Sequence, residues 1–418
     1  MALSSPIKAQ ERETFMDVLR GFAILGIFIA NLGAGFSWYA ENAHLTGTFL
    51  LPDLDPTILF SHHWFIEGKF YSIFSLLFGW GIALQIKRAT DKGGDAMPTI
   101  KRRLFFMLLL GFCHLLIWTG DIVCFYAMLG FLLLPMRKFS NKTLLLTSVL
   151  LILSPILLYG LKMAIPVLNY PSLFLNEMGQ NLELKLFPQF ANAKSNTDYL
   201  NIVKTFTWWD ILKDNAACIF YRFGYLVFIS RISKVLGIFL IGFVIGRTDF
   251  YKNLAQHKKL VKTIIAVGLL IGIPANYALA HFMATYDNDY YQLKINGLYQ
   301  TIVYALGVAP LALAYVGLFM LAFRTQVGKR FMSVLAPVGK MAFSNYIMHS
   351  LVGNYVFLGA GLGLMGQIGP VWYTVFGIGF FIIQIIYSIV WLKYFNFGPL
   401  EWLWRSATYW KMQPMKRI

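Results

Sequence analysis

Five groups of polar residues interrupt the apolar runs of this 418-residue chain, and each has spacing that could do chemistry. In RRLFFMLLLGFCHLLIWTGDIVCFYAMLG, His114 stands four residues before Trp118 and the Thr119, Gly120, Asp121 connection, so a helical hairpin would bring it level with Cys124 to Tyr126. A buried neutral imidazole beside the Tyr126 hydroxyl, with Asp121 about one turn above, could take a proton from a substrate. A hydrogen-bonded core histidine, with Asp121 capping the next helix, accounts for the same residues. In GKMAFSNYIMHS, Lys340, Ser344, Asn345, Tyr346 and His349 break an apolar run. Asn345 and His349, four apart, could face one cavity and bind a substrate, although bonding between helices explains Ser344 and Asn345 equally.

The other three groups are weaker. In MDVLRGFAILGIFIAN, Asp17 and Arg20 are three apart and can pair, while Asn31 could orient a substrate or bond a neighbouring helix. His44, Asp53, Asp55, His62, His63, Glu67 and Lys69 precede or enter an apolar stretch. There His63 and Glu67, four apart, could form a metal half-site, an acid/base pair or a substrate contact. No HExxH is present and no third ligand is fixed by spacing, so histidines in a polar interface are the weightier reading and no metal is expected. In FNFGPLEWLWR, Glu401 and Arg405 follow a Gly-Pro break, which points to an interfacial helix anchored by Trp402 and Trp404. Cys113, Cys124 and Cys218 form no CxxC or CxxH pair, which argues against a zinc site or a disulfide scaffold.

The elements that hold these residues follow from composition. With 58% hydrophobic, 17% aromatic and only 13% charged residues, the chain carries more apolar surface than a soluble core needs. The expected fold class is all-α, a polytopic membrane helix bundle. Runs of about 20 apolar residues suggest about ten spans, near 15–36, 64–86, 104–118, 121–136, 143–167, 216–246, 260–283, 295–323, 339–358 and 371–392. Residues 1–392 then form one transmembrane domain with an external loop over about 168–213, expected as a small lid or short interfacial helix, and 393–418 form a cytoplasmic tail. Most of the 36 Lys and Arg residues fall on one side when both termini are cytoplasmic, so the net charge of +17 reflects topology and does not point to nucleic acid. The bilayer is the expected partner.

MDVLRGFAILGI with Asn31, FYSIFSLLFGWG, the His114 hairpin, GKMAFSNYIMHS and FGPLEWLWR resemble, in order and spacing, the YeiB family of bacterial inner-membrane proteins. That family is similar in turn to transmembrane acyltransferases of the heparan-alpha-glucosaminide N-acetyltransferase type. Asp17, Arg20, Gly21, Asn31, Trp38 and Tyr39 fit the acyltransferase pattern, whereas Asn42 occupies the place expected for the catalytic histidine and His44 lies two residues on. The base is therefore either His44 or His114, with His114 preferred.

The resemblance implies a multi-pass inner-membrane enzyme that moves an acyl group from cytoplasmic acyl-CoA, acetyl-CoA foremost, to an extracytoplasmic acceptor hydroxyl or amine on a glycan or small molecule. It further implies that His114 deprotonates the acceptor, that Asp121 or Tyr126 orients it, and that Asn31 or Asn345 stabilises the carbonyl oxygen. Arg102, Arg103, Lys329, Arg330 and Arg405 would hold the CoA phosphates, and His349, His63 and Glu67 would contact substrate. A transporter of a small solute or lipid-linked sugar is the competing expectation, a non-enzymatic sensor a third, and a homodimer the expected assembly.

Overall fold

The computed structural model describes residues 14–38, 51–248, 250–251 and 256–417. They form a helical bundle, and among the described residues no strand occurs beyond one isolated bridge between Phe395 and Lys416. In chain order the helices are α1 (Thr14–Asn31), α2 (Asp55–Phe65), α3 (Lys69–Asp91), α4 (Met97–Ile117), α5 (Val123–Met136) and α6 (Asn141–Ala164). They continue as α7 (Tyr170–Leu186), α8 (Asn196–Val203), α9 (Trp208–Phe228), α10 (Arg231–Arg247), α11 (Lys258–Tyr291) and α12 (Ile295–Phe323). The last are α13 (Gln326–Met332), α14 (Ala336–Lys340), α15 (Ala342–Phe357), α16 (Pro370–Tyr394) and α17 (Pro399–Tyr409).

Among the described residues six stretches are long and apolar enough to cross a bilayer: α1 with the π-turn to Ser37, Pro52–Asp91, α6, α11, α12 and α16. The pair α9 and α10, bent by 69°, makes a seventh if counted as one broken span. Large apolar side chains stand outward, among them Leu150 and Leu157 of α6, Leu270 of α11, and Ile383 and Ile386 of α16. Such faces suit hydrocarbon and would be unfavourable in water. The chain is a helical membrane protein.

By length and composition, six or seven of the about ten expected spans are matched among the described residues. Expected spans 121–136 and 339–358 are helices of 14 and 16 residues, α5 and α15, shorter than the about 20 residues a straight span takes. Expected span 104–118 belongs to α4, whose 21 residues include Lys101, Arg102 and Arg103. These three polar-bearing helices carry the candidate site. Residues 168–213, expected as a loop with at most a short helix, hold α7, α8 and the start of α9, and α7 packs along α9.

Helix α1 lies at the centre, in contact with α3, α12, α14, α15 and α16. Its Asp17 is buried and accepts from Arg20 at 2.8 Å, the pairing expected from their spacing. Close backbone approaches need glycine in two places. Helices α3 and α10 cross at Gly79 and Gly242, where an added Cβ would fall about 2 Å from the carbonyl oxygens of Phe239 and Leu76 respectively. Helices α4 and α5 meet at Gly111, whose Cβ would lie 2.3 Å from the Cys124 nitrogen. Gly111→Ala should force the hairpin apart and lower stability by about 1–3 kcal/mol. Gly160→Ala, with nothing within 4 Å of its Cβ, should cost nothing; thermal unfolding of the detergent-solubilised protein compares the two.

Candidate functional site

Helix α4 ends because Trp118 turns extended, at φ −158° and ψ 120°. Its last carbonyls, which lack partners within the helix, are met from two other helices. Asn215 of α9 donates to the Leu116 and Ile117 oxygens at 3.0 and 2.9 Å, and Asn354 of α15 donates to Ile117 at 2.7 Å. After the Thr119 and Gly120 turn, Asp121 Oδ1 accepts the Cys124 backbone N–H at 2.6 Å and so caps the first turn of α5.

The other Asp121 oxygen, Oδ2, lies 2.7 Å from His114 Nδ1, and His114 Nε2 lies 2.8 Å from Ser350 Oγ on α15. All three side chains are buried, at 1%, 2% and 0% exposure. A carboxylate oxygen only accepts, which puts the imidazole proton on Nδ1 and leaves Nε2 to accept the Ser350 hydroxyl. Asp121 orients the ring, the ring can take a proton from a hydroxyl, and the hydroxyl can attack an electrophile, the division of labour of a Ser-His-Asp set.

Beneath this set, a cavity of about 570 Å³ enters from the end of the bundle where the basic helix termini collect. Arg20, Arg88, Arg103, Lys340 and Arg405 line it there, and Ile122, Val123 and Tyr346 line it at the hairpin end. The walls between are apolar, with Ile24, Ile27, Leu77, Leu104 and Met107. Tyr346 stands between cavity and histidine, its ring 5.2 Å from the His114 ring and its hydroxyl accepting the Ile122 N–H at 3.1 Å. At the basic end, the Arg103 guanidinium stacks 4.3 Å over Trp404 and donates to Gln85.

Helix α17 braces this arrangement. Glu401 accepts the N–H groups of Phe343 and Ser344 and the Ser344 hydroxyl at 2.7, 3.1 and 2.5 Å, fixing the first turn of α15. Burial pushes the Glu401 carboxyl above the usual range, and these hydrogen bonds pull the other way.

The remaining expected residues disperse. Asn345 donates to Ser388 and to the Val338 carbonyl, and His349 faces Gln384 at 2.7 Å with its ring stacked on Phe28, so both join α15 to α16 and neither reaches the His114 set. Tyr126 bonds Ser75 and the Tyr71 carbonyl. Asn31 ends α1, with no hydrogen bond to His114, Asp121 or Ser350 among the described residues. His63 and Glu67 do not share a helical face, because α2 stops at Phe65; His62 instead bonds Tyr373 and Thr374. Arg103 and Arg405 line the cavity, whereas Arg102, Lys329 and Arg330 do not. His44 lies outside the described residues, as do Tyr39 and Asn42.

Sequence reasoning missed Ser350, Arg20 and Arg88 as site residues. For Ser350 a signal existed: it lies four residues after Tyr346, on the same helical face. Cys218, unpaired by sequence spacing, meets Glu183 and Asp214 with ligand-type atoms within 4.8 Å, and the Tyr199 and Tyr221 hydroxyls donate to Glu183.

Residues 245–411 match the family model described as "Protein of unknown function (DUF418)". The uncharacterized protein YxaH of Bacillus subtilis (strain 168) is 30% identical over 443 residues, covering 100% of this chain and 99% of its own. The uncharacterized protein YeiB of Escherichia coli (strain K12) is 26% identical over 441 residues, 95% of this chain and 96% of its own. The chain belongs to the YeiB family. No solved structure matches it. The matched family segment holds Tyr346, Ser350, Glu401 and Arg405 of this YeiB-family protein, while His114 and Asp121 fall within the span shared with YxaH. Asp121→Ala would strand the buried donors of His114 and Cys124, at about 1–3 kcal/mol each. Asp121→Asn, which keeps an acceptor, should lower the unfolding temperature less.

Proposed function

We propose that this protein is a membrane acyltransferase of the bacterial inner membrane, with Ser350, His114 and Asp121 as its reacting set. The observation that carries the reading is the 2.8 Å contact between Ser350 Oγ and His114 Nε2, backed by Asp121 and standing one tyrosine away from a cavity with a cationic entrance. The positive-inside rule puts that entrance in the cytoplasm.

The residue chemistry suits acyl-CoA as co-substrate. Five cations at the entrance fit phosphate groups, and the apolar walls beyond them fit a pantetheine arm ending in a thioester. Tyr346 would have to swing aside to admit the acyl carbon. Ser350 Oγ then attacks the carbonyl carbon as His114 Nε2 takes its proton. The carbon–sulfur bond breaks, and the thiolate leaves with that proton. An acceptor hydroxyl or amine reaching the hairpin from the opposite face gives its proton to His114 and attacks the Ser350 ester, and Ser350 Oγ is restored as the alcohol. Asp121 holds the ring in the required tautomer throughout.

A transporter of a small solute or lipid-linked sugar is the second reading, favoured by the broken span at α9 and α10, since bent spans commonly line solute paths. Purified protein supplied with labelled acetyl-CoA separates the two. The acyltransferase reading expects CoA release, falling about 10²–10⁴-fold in folded His114→Ala or Ser350→Ala. Saturable solute uptake into proteoliposomes, with no acetyl-CoA consumed, would replace it. Arg103→Gln and Arg405→Gln should each raise KM for acetyl-CoA about tenfold and leave kcat near its original value.

A further inference from the structure

On the hairpin side of the His114 set, three cations gather where the seventh, broken span bends. Helix α9 stops at Phe228, Ser230 takes a left-handed φ of 53°, and α10 starts at Arg231 with no side-chain cap on its first turn. Arg231 and Lys234 occupy that first turn, which contains no acidic residue. Cations sit badly at a helix N-terminus, where the uncapped N–H groups and the helix dipole already favour negative charge. Arg222 of α9 completes the group.

None of the three pairs with a carboxylate among the described residues. Lys234 is 8% exposed, and its ammonium makes no hydrogen bond to a described residue and lies 4.2 Å over the Tyr304 ring. Arg231 stacks 4.4 Å over Tyr71 and donates to the Tyr304 hydroxyl at 3.4 Å. Arg222 makes only long bonds of 3.4 and 3.5 Å to the Gly120 and Asp121 carbonyls, and its Nε is buried without a partner. A fourth cation, Lys69, is fully buried on the His63 carbonyl. Glu67 is the carboxylate within electrostatic reach of Lys69, Arg231 and Lys234. Asp121 is within reach of Arg222, so two acids face four cations. Stacking on tyrosines returns less than the desolvation of a cation costs, so the arrangement lacks an anion.

We infer that the bend between α9 and α10 binds a phosphate group through Arg222, Arg231, Lys234 and the free N–H groups of α10. Donors arriving from two helices and a helix N-terminus suit a tetrahedral oxyanion; a planar carboxylate would be satisfied by one arginine fork. Arg222 touches the backbone of the turn that carries Asp121, which ties the anion site to the reacting set. The acceptor would accordingly be a phosphate-bearing alcohol or amine; that assignment rests on the acyltransferase reading, whereas the anion site does not. The phosphate could belong to a soluble molecule or to a lipid headgroup.

Full-length protein in phosphatidylcholine nanodiscs, titrated with inorganic phosphate by calorimetry, tests the first source. Native mass spectrometry of phosphatidylglycerol retained through purification tests the second. Saturable phosphate binding or retained phosphatidylglycerol is expected, weakened at least tenfold in Lys234→Met and Arg231→Gln. Glu67→Gln, which removes the competing carboxylate, should strengthen binding severalfold, so the test stands even if Arg231→Gln fails to fold. Ser350→Ala should bind as the unaltered protein does. The inference is overturned if neither ligand binds, or if Lys234→Met and Glu67→Gln both leave binding unchanged. Absent binding in a protein that still consumes acetyl-CoA would remove the anion site alone. Binding without acyl transfer would remove the acyltransferase reading alone.

Discussion

A fully buried imidazole with both nitrogens engaged is the constraint around which this bundle is arranged. His114 touches Asp121 on its own hairpin and Ser350 on α15, so its two hydrogen bonds tie together segments 236 residues apart. In an apolar interior either bond left unmade would be costly, and the ring orientation is thereby over-determined. The surrounding helices supply the support. Asn215, Asn354 and Arg222 satisfy the carbonyls at the hairpin, and from the other end Glu401 fixes the helix that carries Ser350.

The same geometry separates two approaches to the set. On the basic side a cavity with charged entrance and apolar walls stops at Tyr346. On the hairpin side the bend between α9 and α10 presents unpaired cations next to the turn bearing Asp121. Under the proposed chemistry these are the donor and acceptor sides, and Tyr346 is the barrier that the thioester must pass to reach Ser350.

Much of the architecture was legible because apolar length is a hard requirement in a bilayer: runs such as 143–167 and 371–392 correspond to α6 and α16. The lengths of the short helices were less legible, because apolar composition alone does not reveal that 121–136 and 339–358 hold helices of only 14 and 16 residues. The pairing of His114 with Asp121 was legible, since a tight turn between two helices leaves few other placements. For Ser350 the helical spacing from Tyr346 was the signal, but its pairing with His114 was not legible, because nothing local relates α15 to the hairpin. There a rotation of about 100° per residue decides between neighbours: His349 turns to Gln384, and Ser350 turns to His114. The same rotation puts Arg103 in the cavity lining and leaves Arg102 out of it.

The most direct test is mass spectrometry of the protein quenched shortly after mixing with acetyl-CoA in the absence of acceptor. The account predicts one acetyl group on the peptide containing Ser350, absent from His114→Ala and discharged when acceptor is added. Undiminished CoA release by Ser350→Ala, or acetyl found only on another residue, would contradict it.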